Sequence, residues 1–128
     1  MKKQGVKIIH LTDEELAGIR ATAARIEKNI KYHYRIPDLA ASIHMNEKKF
    51  KEGFRLLFSK PPYQFLLEHR LEYAKEQLLQ QTILRAVALA VGFSGRQAEN
   101  NFIKFFKKMT GITPASWRRL QEEKRKAV

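Results

Sequence analysis

Apolar residues recur at three- and four-residue steps along nearly the whole chain, a pattern that predicts helices almost throughout. Thr12 followed by Glu15 is a capping box, and Leu11 and Leu16 are spaced for a hydrophobic staple. Leu16, Ile19, Ala23, Ile26 and Ile30 then share one face of a first helix, expected to end near Lys31–Arg35, before Pro37. Pro37 suits the first turn of a short helix carrying Leu39, Ala40 and Ile43, and Asn46 is a good N-cap for the next, with Phe50, Phe54, Leu57 and Phe58. Lys60-Pro61-Pro62 is a stop from which Pro62 opens a longer helix. Its inward residues are Phe65, Leu66, Leu71, Ala74 and Leu78, and its end is expected near Gln80–Gln81.

The pattern then begins again. Val87, Ala88 and Val91 make a short apolar face, Gly92 breaks it, and Ser94 is the expected cap of the following helix. Phe102, Phe105, Phe106 and Met109 face inward, Gly111 ends that helix, and Pro114 opens a last one with Trp117 and Leu120. A charged tail, Glu122 to Val128, is expected to fray.

Superposing the halves exposes an internal repeat. At an offset of 52, Phe50, Phe54, Pro62 and Phe65 fall on Phe102, Phe106, Pro114 and Trp117. At an offset of 48, Leu39-Ala40, Ile43 and Met45 pair by type or size with Val87-Ala88, Val91 and Phe93. Each half reads as short helix, tight turn, second helix, proline stop, next helix, which is a helix-turn-helix. Ala40 and Ala88 are small where two helices must approach, and Gly92 allows the positive φ of the turn. His44 stands at that position in the first half, a non-glycine residue enriched in the left-handed region. The fold class expected is all-α, with two helix-turn-helix lobes joined by a long linker helix and preceded by an N-terminal helix. The segments are 1–35 for the arm and first helix, 36–60 and 83–121 for the two lobes, 61–82 for the linker helix and 122–128 for the tail.

Charge narrows the function. The 128 residues hold 25 Lys and Arg against 13 Asp and Glu, a net of +12, which favours a polyanionic partner: DNA, RNA or an anionic membrane surface. The absence of cysteine removes disulfides, cysteine-ligated zinc and thiol catalysis together. The start, Met1 to Lys7, has no apolar stretch behind its charges and is not a secretory signal, and no apolar run reaches the ~20 residues of a membrane span. The expectation is a soluble, cytoplasmic protein. His10, His33, His44 and His69 lack ligand spacing, and there is neither a phosphate loop nor a nucleophile elbow, so no metal, no cofactor and no enzyme activity are expected.

Ala88-Leu89-Ala90-Val91-Gly92-Phe93-Ser94, then Phe102 to Lys108 and Gly111-Ile112-Thr113-Pro114, resemble the C-terminal signature of AraC-type (AraC/XylS) transcriptional regulators. Ile36-Pro37-Asp38-Leu39-Ala40, Phe54 to Phe58 and Arg70-Leu71-Glu72-Tyr73-Ala74-Lys75 agree, so the resemblance covers about Ile36 to Arg118. It implies a sequence-specific regulator whose two recognition helices enter successive major-groove segments of double-stranded DNA, about 34 Å apart, one helical turn. One chain then reads a long asymmetric site. RNA polymerase is a candidate second partner, and many family members carry an N-terminal sensing domain in a longer chain; for this segment a monomer or weak dimer is expected. The sequence departs from the pattern between Phe93 and Phe102, with about three residues more than the usual second unit carries. Either the second recognition helix starts earlier, or the turn bulges around Gly95-Arg96-Gln97. Ser59 replaces the glycine that Gly111 supplies in the second copy.

By match to the family pattern, Lys48, Lys51 and Glu52 are the base-edge positions of the first recognition helix; lysine donates to guanine, and a carboxylate accepts from cytosine N4. Glu52 has two other readings, repulsion of phosphate and a helical pair with Lys48 or Lys49. In the second helix Asn100, Asn101, Ile103 and Lys104 are the base-contacting candidates, an Asn suiting adenine and Ile103 a thymine methyl. Arg55, Lys60, Lys107, Lys108, Arg118 and Arg119 are placed for phosphates. Two rival classes are a nonspecific nucleic-acid binder and a helical protein-interaction module. RNA modules show exposed aromatic platforms, whereas the aromatics here fall mostly at core-face spacing.

Overall fold

A computed structural model describes residues 9–127; the reading of Met1 to Lys7 lies outside the described residues. Among the described residues there are seven helices and no strand: α1 (Asp13–Lys28), α2 (Ile36–Ser42), α3 (Glu47–Phe58), α4 (Pro62–Leu79), α5 (Leu84–Ala90), α6 (Ala98–Thr110) and α7 (Pro114–Lys126). They divide into two compact units. The first holds the described residues through Lys28 together with Tyr34–Leu66, and the second holds Asn29–His33 and the described residues from Leu67 onward. α4 begins in the first unit and continues into the second.

In the first unit, the backbone N–H of Thr12 donates to Glu15 Oε1 and that of Glu15 to Thr12 Oγ1, each at 3.0 Å, so the capping box forms as expected. Ile19, Ala23 and Ile26 bury the inner face of α1, and Phe50 and Phe54 that of α3. Side chains press on the α3 backbone where it carries Gly53: a Cβ there would stand 2.7 Å from Ile19 Cδ1 and 3.3 Å from the Leu11 side chain. Each buried Phe or Ile contributes roughly 1.5–3 kcal/mol. This face, far more than the exposed Glu47–Lys51 pair at 4.0 Å, holds the unit together, since such pairs contribute only about 0.3–0.5 kcal/mol.

The second unit packs Ala74, Leu78, Val87, Ala88, Val91, Ala98, Phe102 and Phe106 into one core, with Ile30 and Trp117 among the partly buried residues against it. The repeat read in the sequence is realised ring for ring. Phe50–Phe54 and Phe102–Phe106 each pair at 5.9 Å, and the edge-on pairs Phe54–Phe65 and Phe106–Trp117 stand at 5.3 and 5.9 Å.

Three boundaries differ from expectation. The first helix ends at Lys28 rather than near Lys31–Arg35. The cause is Arg70, whose Nε and Nη2 donate to the carbonyls of Ile30 and Tyr32 at 2.7 and 3.1 Å and draw that stretch into the second unit. Ile30 therefore serves the second core and not the face of α1. Ser94 does not cap α6; Gln97 holds that position without a side-chain cap bond. The tail expected to fray is helical to Lys126, because Thr113 caps α7 at Ser116 N and the basic residues of its last turn suit the negative end of the helix dipole.

Candidate nucleic-acid interface

Each unit builds its turn in the same way. Met45 N donates to Ala40 O at 3.0 Å and His44 N to Ala41 O at 3.1 Å; 48 residues on, Phe93 N donates to Ala88 O at 3.0 Å and Gly92 N to Leu89 O at 3.2 Å. These are paired Schellman closures, which need a left-handed residue after the helix. His44 supplies it at φ 57° and Gly92 at φ 105°, so the histidine reading of the first turn holds. At the far end of the second helix, Ser59 (φ 64°) and Gly111 (φ 90°) both close the helix in the left-handed region, which makes the Ser59 replacement structural.

The exposed side of α3 carries Lys48, Lys51 and Arg55, with half-buried Glu52 on the same stripe, opposite buried Phe50 and Phe54. Asn46 caps this helix by accepting from Lys49 N at 2.8 Å. Lys49 turns aside, its Nζ 3.0 Å from Glu15 Oε1 on α1. Glu15 is held below the ordinary carboxylate value of 4.5, first by the hydrogen bond from the Thr12 backbone N–H and then by Lys49. A folded-state pKa below the unfolded one gives stability that is complete above about pH 4.5 and is lost as pH falls through the lowered value. Glu15→Gln is thus expected to be less stable than the parent at pH 7, with the gap closing in acid. Thermal unfolding of both proteins between pH 7 and 2 checks this, and a gap constant across that range would refute it.

On α6 the 52-residue offset sets Asn100, Ile103, Lys104 and Lys107 where α3 has Lys48, Lys51, Glu52 and Arg55. Asn100, Asn101, Lys104, Lys107 and Lys108 are exposed and Ile103 is half-buried, opposite Phe102 and Phe106. The candidate readers of each helix therefore share one face within their own unit. Asn100 Nδ2 donates to Gln97 Oε1 at 2.9 Å, which orients its amide. The turn ahead of α6 bulges: α6 starts at Ala98, and Ser94 to Gln97 stand where the first unit has Asn46 alone. Lys60, beyond α3, is half-buried, and Arg119 on α7 is exposed.

Arg118 has a different post. Its Nε donates to Leu78 O at 2.9 Å and its Nη2 to Thr82 O at 2.7 Å, satisfying carbonyls at the end of α4. Arg119, next to it on α7, is exposed. Sequence reasoning missed the Arg118 clamp and its counterpart at Arg70. The signal was present: Arg70 and Arg118 are 48 apart, as are their acceptors Ile30 and Leu78.

Among the described residues no helix is long and apolar enough to cross a membrane. No curated protein matches the chain at a significant level. A family model described as a helix-turn-helix domain matches residues 39–120. Among solved structures, the DNA-binding domain of the global transcriptional factor AdpA, in complex with a target DNA, is similar, with a TM-score of 0.71 at 24% identity over 84% of this chain and 96% of that one. An AraC-type transcriptional regulator from Chromobacterium violaceum reaches 0.67 at 23%, over 80% and 90% of the two chains. The C-terminal domain of the two-component response regulator yesN from Fusobacterium nucleatum reaches 0.66 at 26%, over 77% and 96%. With both turns, both aromatic-anchored second helices and more than half of its length matched, the chain belongs to the AraC-type helix-turn-helix domain family.

Proposed function

We propose that this chain is a transcription regulator that binds double-stranded DNA sequence-specifically, α3 and α6 each reading the major groove in successive segments. The observation that carries this is the duplicated turn-and-helix geometry, each copy with its polar and basic residues gathered on the exposed side of the second helix. A helix-turn-helix places that helix in the major groove with its N-terminal residues at base edges. The net charge of +12 supplies the sequence-independent attraction. Lys48, Lys51, Glu52, Asn100, Asn101, Ile103 and Lys104 are the base-edge candidates; Arg55, Lys60, Lys107, Lys108 and Arg119 are those for phosphate.

Because the duplication supplies two recognition helices, a monomer suffices to fill a site. RNA polymerase is the further partner this reading includes, with an N-terminal effector domain in a longer parent chain and a cytoplasmic setting. Its role is regulation and not catalysis. Selection of binders from random duplexes tests the reading: an enriched motif with two half-elements about one helical turn apart is expected. No enrichment over the starting pool would refute sequence-specific binding.

A further inference from the structure

The two copies part company between the turn and the recognition helix. The first chain segment goes from Met45 through Asn46 into α3, whereas the second goes from Phe93 through Ser94, Gly95, Arg96 and Gln97 before α6 begins. The change of offset from 48 to 52 is taken up here, mostly by the turn and in part by an earlier first residue of α6. The added turn is ordered by its own bonds. Ala98 N donates to Gly95 O at 3.2 Å, and Asn100 Nδ2 to Gln97 Oε1 at 2.9 Å. Gly95 takes φ 81°, and nothing lies within 4 Å of where its Cβ would be, so the turn projects into solvent at the N-terminal end of α6. Arg96, at its tip, is exposed.

Charge singles out this residue. From Gly92 to Ile103 Arg96 is the only cation, and the basic residues of α6, Lys104, Lys107 and Lys108, all come later along the helix. In α3 the corresponding N-terminal turn has Lys48, whose counterpart in α6 is the neutral Asn100. The second unit has thus moved its leading cation off the helix and onto the turn before it. An arginine differs from a lysine there: its planar fork donates twice to guanine O6 and N7, the commonest specific base contact.

We infer that Arg96 is a specificity-determining residue of the second unit, reading one guanine through its guanidinium from the lengthened turn, which the Gln97–Asn100 hydrogen bond helps to order. This rests on the proposed DNA reading, and the test separates the two. Random duplexes are selected with the parent protein, Arg96→Ala and Arg96→Lys, and single-base variants of the parent motif are then titrated by fluorescence anisotropy. The expected result is a guanine in the second half-element whose preference falls by about 5- to 150-fold in Arg96→Ala, with partial retention in Arg96→Lys and the remaining positions unchanged. An unchanged motif in Arg96→Ala would overturn the inference. So would equal weakening on all sequences with a salt slope shallower by about one, the mark of a phosphate contact; either outcome leaves the DNA reading standing. Failure of the parent protein to enrich any motif would remove that reading and this inference with it.

Discussion

Between 50 and 200 mM salt, the affinity of this chain for its duplex is expected to fall about 10³- to 10⁵-fold, the loss that follows when roughly 6–10 phosphates are neutralised. The phosphate candidates Arg55, Lys60, Lys107, Lys108 and Arg119 begin that number, and the further basic side chains of a chain with a net charge of +12 supply the rest. Individual substitutions sort the cations further. Lys107→Ala should make the plot of log affinity against log salt shallower by about one. Lys49→Ala should leave the slope alone, because its ammonium is already engaged with Glu15. Arg118→Ala should weaken the fold of the second unit by freeing the carbonyls of Leu78 and Thr82, again with no change of slope. Binding isotherms at four or more salt concentrations make the measurement, and a loss below tenfold across that range would contradict backbone-dominated binding.

Gly92→Ala is expected to destabilise the second unit by about 2–5 kcal/mol, enough to lower its melting temperature by roughly 8 °C or more. Two costs combine. At φ 105° the backbone lies outside the small left-handed region open to other residues, a cost of about 1–2 kcal/mol or more. The added Cβ would also meet Arg70 Nη2 at 2.9 Å and Lys31 O at 3.0 Å, and overpacking of this kind costs about 1–3 kcal/mol. The end of an arginine can usually move aside. This one is tethered to the carbonyls of Ile30 and Tyr32, so yielding would leave them without that donor. Arg70→Ala should therefore be destabilising alone, and the double variant should cost less than the two singles added, by more than about 0.5 kcal/mol. Thermal and urea unfolding of the three variants gives the cycle. A Gly92→Ala protein within about 1 kcal/mol of the parent would show that the turn tolerates a side chain, as the other copy tolerates His44 at φ 57°.

What was legible in the sequence was whatever depends on short spacing. Thr12 and Glu15, Asn46 and Lys49, and the Phe50–Phe54 and Phe102–Phe106 pairs act across three or four residues, and helical geometry alone fixes them. The repeat made the fold legible at longer range, because a second copy supplied the comparison that a single copy lacks. The end of α1 and the post of Arg118 were not legible. Both are set by arginines bonding to backbone carbonyls 36–40 residues away, and periodicity carries no trace of such partners. The start of α6 was legible only as a choice between an earlier helix start and a bulged turn, since periodicity does not say which of the two takes up the added residues. The exposed faces of α3 and α6 followed from the same periodicity that buried the phenylalanines.

The interleaving of the two units bears on the order in which the chain can fold during synthesis. A protein emerges from its N-terminus, and its domains generally fold as they are completed. The first unit has all its residues once Leu66 has been made, while Asn29–His33, already threaded between its two segments, still waits for the second unit. Arg70 arrives next and can take the carbonyls of Ile30 and Tyr32, but Gly92, against which that arginine packs, comes later still. Release of the chain after α4 would therefore yield a finished first unit trailing an incomplete clamp. Fusions or truncations that cut at the sequence midpoint would inherit the same defect, because the second unit owns five residues that lie before the first unit ends.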